Sequence, residues 1–206
     1  MNRKFINKSN FVLRKILNSQ ENIDILKEFI EEILAIKIEE ATINPYLTKL
    51  KNKLPAEENF GIADLRIKTT QNIELNVGIQ IIDGKYIIQK ILLYYAQIHF
   101  GQMEYEDKRE ITKTVTINIL DCIFLNNNKY HTKLRIKEKS AGVIEDYMEL
   151  NVLELPKYQS RNQNEKKEAW MDYLKGENIE KAIAQSEKIK KLENLLEEYW
   201  KKEVIE

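Results

Sequence analysis

One cysteine in 206 residues, Cys122, excludes an intramolecular disulfide and a zinc site built on cysteines. It lies in the apolar run Val115–Leu125, which reads as a buried, inert thiol, and no histidine is placed to activate it as a nucleophile. Only two histidines are present, His99 and His131, and without a third ligand they do not make a metal site. Net charge is missing as well: 33 basic and 33 acidic residues cancel, so affinity for a polyanion has to come from a local patch. No apolar run approaches the roughly 18 residues of a membrane span, the best candidate being broken by Gln89 and Lys90. The early charge of Met1-Asn-Arg-Lys-Phe-Ile6 is not followed by an apolar stretch, so no secretory signal is expected. The expectation is a cytoplasmic protein that does not enter a membrane.

What is present is an ordinary globular mixture, 43% apolar and 32% charged in 24.5 kDa. That size predicts one domain with a terminal appendage, divided as residues 1–157 and a helical extension over 158–206. Asn7–Leu17 predicts a short helix capped at Ser9 or Asn10. After Ser19, the spacing of Ile25, Leu26, Phe29, Ile30, Ile33 and Leu34 predicts a second helix with one apolar face. Residues 43–60, with Pro45 and Pro55, suit a strand end and a loop. Further on, a helix is predicted from Lys85 to Gly101 with the stripe Ile88, Ile91, Leu92, Tyr95 and Ile98, then strands over 112–125, 132–138 and 148–155. The tail from 165 to 206 reads as helical. Its Ala182, Gln185, Ile189, Leu192, Leu196 and Tyr199 approximate a heptad seam, used either against its own domain or to form a homodimer.

The chemistry concentrates between residues 61 and 81. Ile62, Leu65 and Ile67 flank Asp64, while Ile73, Leu75, Val77 and Ile79 alternate with Glu74, Asn76, Gly78 and Gln80. Thr69-Thr-Gln-Asn72 is a hairpin-length connection between the two runs. Period two puts Gly78 and Gln80 on one face. Two neighbouring strands that each offer a carboxylate on one face make a cradle for Mg²⁺, which prefers hard oxygen ligands and activates water for phosphodiester hydrolysis.

Gly61-Ile-Ala-Asp64, Val77-Gly-Ile-Gln80, Leu93-Tyr-Tyr95 and Gly101-Gln-Met-Glu-Tyr105, taken in order, resemble the PD-(D/E)XK nuclease family transposases, also called the recombination-promoting nuclease family. The opening 7–17 segment, Glu154-Leu-Pro-Lys157 and Trp170 extend the resemblance over residues 7 to 175. It implies an α/β, restriction-endonuclease-like core: a mixed central sheet of four or five strands flanked by helices, with a helical C-terminal extension. It also implies Mg²⁺-dependent cleavage of double-stranded DNA, linked to recombination or mobile elements. On the family pattern, Asp64 and Gln80 match the second-strand Asp and the third-strand Gln. Asp64, the Ile79 carbonyl and Asn10 would hold the ion, and Gln80 would orient water. Lys90, Tyr94, Arg66 and Lys85 would meet DNA.

Two departures from the pattern fall in the site. Asn10 stands where the family has its first-helix Asp, and Gly78 stands where it has the metal-binding Glu. Losing one of two carboxylates costs several kcal/mol of transition-state stabilisation, so the expectation is a weak or inactive nuclease. Glu74 shares the face of Gly78 but lies about 13 Å along the strand, and Asp83 lies beyond the strand end. Glycine in mid-strand also marks a bulge or a close approach by a neighbour. The alternative function is a non-catalytic DNA-binding or assembly protein derived from such a nuclease. Lys133, Arg135, Lys137 and Lys139 alternate along one strand, fit either to track a DNA backbone or to protect an exposed edge.

Overall fold

A computed structural model describes residues 10–44, 61–82, 84–102, 111–138, 142–143, 147–161 and 165–203. The helices are α1 (Asn10–Leu17), α2 (Ile23–Leu34), α3 (Ile87–Gly101), α4 (Lys166–Lys175), α5 (Ile179–Gln185) and α6 (Glu187–Glu203). The strands are β1 (Ile38–Ile43), β2 (Ala63–Thr69), β3 (Glu74–Ile82), β4 (Lys113–Leu120), β5 (His131–Leu134), β6 (Lys137–Glu138), β7 (Gly142–Val143) and β8 (Met148–Glu154). Six strands form a mixed sheet in the order β1-β2-β3-β4-β8-β5, and β6 pairs with β7 in a separate ribbon. The sheet exceeds the expected four or five strands because the short strands β1 and β5 close its two edges.

β2 and β3 are antiparallel, whereas β3-β4 and β4-β8 are parallel. The antiparallel pair is joined by the expected turn: Asn72 adopts φ 61°, and Thr69 and Ile73 exchange hydrogen bonds. The parallel step from β3 to β4 needs a long crossover, which α3 supplies. Helices therefore cover both faces. On one face, α1, α2 and α4–α6 bury Leu65, Ile67, Val77, Ile79, Ile117 and Ile119 in a continuous apolar core. On the other, α3 covers a smaller cluster of Ile82, Ile91, Leu120, Leu150 and Val152.

Several predicted elements shift. α3 buries Ile91, Tyr94 and Ile98, while Ile88 and Leu92 from the predicted stripe are exposed. The reason is that α3 is apolar on more than one face, so periodicity alone does not select the buried one. The continuous C-terminal helix is three helices. Gly176 at φ 77° ends α4, and extended Ser186 separates α5 from α6. Ala182, Ile189, Leu192 and Leu196 of the predicted seam are buried in the chain's own core. The predicted strand over 112–125 stops at Leu120, where the chain turns and Glu154 caps the Phe124 and Leu125 amides at 2.6 and 3.0 Å. Asp83, Lys139 and residues 45–60 lie outside the described residues.

Candidate functional site

Asp64 pairs directly with Gly78 across β2 and β3, and Gly78 in turn pairs with Thr116 of β4. The register is regular through Gly78; the sheet's irregularity lies between β1 and β2, at Ile38–Glu40. Of the two readings of a mid-strand glycine, a close approach is what occurs. A Cβ on Gly78 would lie 2.8 Å from the Tyr94 hydroxyl and 2.9 Å from its Cζ, and would also run into Ile98 Cδ1. Gly61 faces the same ring, since a Cβ there would lie 2.6 and 2.7 Å from Tyr94 Cε2 and Cζ.

Tyr94 is therefore the centre of the arrangement, and it is completely buried. Its hydroxyl lies 2.5 Å from Asp64 Oδ1, 3.1 Å from the Ala63 carbonyl and 3.2 Å from the Ile79 carbonyl. A phenol has one proton to give, and the shortest contact, to Asp64, takes it. Burial first and the Asp64 charge second push the Tyr94 phenol well above its ordinary value, so it stays protonated and donates. Half-buried Arg14 of α1 donates through Nε to the Gly61 carbonyl at 2.9 Å. Burial lowers its pKa, and the Asp64 charge opposes that shift.

Gln80 lies on the same face, only 1% exposed, and donates to Asn118 Oδ1 at 2.6 Å. Asn118 passes the chain on to Thr116 Oγ1 at 3.0 Å and the Asn151 carbonyl at 2.9 Å. Thr114 closes the row through Gln102 and His99 of the α3 end. These hydrogen bonds hold the polar side chains of this sheet face in the interior, while Asn76 Nδ2 on β3 is buried without a partner among the described residues.

The sequence-predicted residues thus divide. Asp64, Gly78, Ile79, Gln80 and Tyr94 come together. Tyr94, expected at DNA, is instead an interior partner of Asp64. Lys85 is exposed ahead of α3, Lys90 is half-buried in its first turn, and Arg66 pairs with Glu74 at 2.8 Å. Glu74 is thereby committed to Arg66 instead of the Asp64 centre. Asn10 opens α1, four residues ahead of Arg14. Sequence reasoning missed Arg14, although that i, i+4 spacing from Asn10 was a signal for it. It also missed Thr114, Thr116 and Asn118, whose period-two polarity within an apolar run was visible.

A family model for PD-(D/E)XK nuclease family transposases matches residues 7–204. The chain belongs to this family. Searches of the curated proteins and of the solved structures gave no match. Membership agrees with the mixed sheet, the flanking helices and the helical C-terminal extension. It also brings an association with Mg²⁺-dependent nucleases, and the residues present can be tested against that ion. One carboxylate and two carbonyls converge on a point, which is a donor set of the right chemistry, but the point is filled by the Tyr94 hydroxyl. The Ile79 carbonyl also accepts from the Ile62 amide at 2.7 Å. Among the described residues, no group of three or more His, Cys, Asp or Glu side chains is placed to hold a metal. With Tyr94 in this position, the site does not fit the ion.

Proposed function

We propose that the protein is a DNA-binding member of the PD-(D/E)XK nuclease family transposases whose cleavage centre is compromised. It engages double-stranded DNA and hydrolyses it weakly or not at all. The observation that carries this reading is the match over residues 7–204 combined with Asp64 in direct register with Gly78 and Gln80 two residues further along the same face of β3. Asp64 and Gln80 are the family's carboxylate and amide. Gly78 supplies no second carboxylate, and without it the charge that develops on a scissile phosphate has one fewer bound counter-charge to meet.

Fluorescence anisotropy with a labelled duplex, repeated over a salt series, tests the binding half. The expected result is affinity that falls linearly in log salt, with about 0.9 in slope for each phosphate neutralised. No binding at low salt would sink the reading. Supercoiled-plasmid nicking tests the other half, using the native chain and a Gly78→Glu variant that carries Ile98→Ala and Tyr94→Ala to make room for the new side chain. Mg²⁺-dependent nicking that appears in the variant and vanishes when Asp64→Ala is added supports an inactivated nuclease. Equal nicking by all three proteins argues against the assignment of Asp64.

A further inference from the structure

We infer that the Tyr94 phenol replaces a divalent ion at Asp64, and that Gly61 and Gly78 are the two walls of the slot that admits it. The inference rests on reading Asp64 as the family carboxylate and then departs from a simple loss of function. Gly78 becomes a steric requirement of the present structure as well as the place where a ligand is missing.

A Mg²⁺ ion needs oxygens at about 2.0–2.1 Å in near-octahedral array. The phenolic oxygen sits among Asp64 Oδ1, the Ala63 carbonyl and the Ile79 carbonyl at 2.5, 3.1 and 3.2 Å. An ion bound by these three oxygens and the hydroxyl now standing among them exclude each other. The phenol does for the buried carboxylate, by hydrogen bond, part of what an ion would do by charge, and Arg14 adds an opposite charge nearby.

Gly78 on β3 and Gly61, two residues ahead of β2, face one aromatic ring, and a methyl group on either would come within 3 Å of it. A completely buried tyrosine ring is not the free end of a flexible chain, so it does not yield cheaply. Neither glycine adopts a positive φ, so backbone conformation does not demand glycine at either position. Space for Tyr94 does.

Two measurements on the full chain test this. In thermal unfolding with Mg²⁺ or Mn²⁺ titrated to millimolar concentration, the native protein should show no saturable rise in Tm. Tyr94→Leu keeps an apolar side chain under α3 and clears both the far end of the ring and the hydroxyl, so it should gain a rise that disappears on adding Asp64→Asn. A saturable, Asp64-dependent rise in the native protein, or none in Tyr94→Leu, overturns the inference. The second measurement is a double-mutant cycle of Gly61→Ala with Tyr94→Ala, which stays informative should Tyr94→Leu fail to fold. Gly61→Ala should lower Tm by several degrees in the native background and leave it unchanged or raised beside Tyr94→Ala. Equal shifts in both backgrounds overturn the slot. Loss of duplex binding by the native chain, by contrast, counts against the proposed function and leaves this inference standing.

Discussion

The two faces of the central sheet are built on opposite principles. Ile117 and Asn118 are neighbours on β4, both fully buried, and point to opposite sides. Beside Ile117 lie Val77, Ile79, Leu65 and Ile119, packed against α2 and the C-terminal helices in the large apolar core. Beside Asn118 lie Gln80, Gly78 and Thr116, with Asp64 and Tyr94 further across, sealed under α3 by hydrogen bonds. The apolar face draws its stability from area removed from water, which tolerates any well-shaped neighbour. The polar face is held by hydrogen bonds among buried side chains, where an unpaired group such as Asn76 Nδ2 is costly.

The comparison is broken most strongly from the apolar side. Ile117→Ala should destabilise by about 2–5 kcal/mol, since a fully buried side chain leaves a cavity. Urea unfolding measures it. On the polar side, Asn118→Leu leaves Gln80 Nε2 without its acceptor and should cost about 1–3 kcal/mol. Gln80→Leu added to Asn118→Leu should recover part of that loss, because removing both partners leaves no orphan donor. A further loss on combining the two would mean that this face behaves as ordinary core.

The smallest effect sharpens the contrast at the margin of the apolar face, where β8 and β5 carry charge. Burial alone would raise the pKa of Glu149. Hydrogen bonds from Arg135 and Asn151, with the charges of Lys133 and Lys113, outweigh it and hold the group at about 2, below its ordinary 4.5. A depressed carboxylate contributes stability above its unfolded value and loses it as pH falls through its folded one. Unfolding free energy should therefore decline between about pH 4.5 and about pH 2. The loss should be about 1–3 kcal/mol, with water around Lys133 and Arg135 keeping it toward the low end. Glu149→Gln should flatten that decline.

Much of this architecture was legible in the chain. Strict alternation around Val77 announced β3, the apolar spacing from Ile25 to Leu34 announced α2, and the spaced motifs from Gly61 to Tyr105 carried the family resemblance. Local periodicity writes the strand and the helix directly, because each follows from its own geometry. The buried face of α3 was not legible, since apolar residues surround that helix. Its choice of Tyr94 over Leu92 depends on what lies beneath it.

Period two and a hairpin-length connection already placed Asp64 and Gly78 on adjacent strands. What stands against Gly78 follows only from the folded chain. Tyr94 lies 16 residues from Gly78 and 33 from Gly61 along the chain, and its ring enters their slot only when α3 folds back over the sheet. That approach is non-local, and steric fit between distant residues leaves no periodic trace in a single sequence.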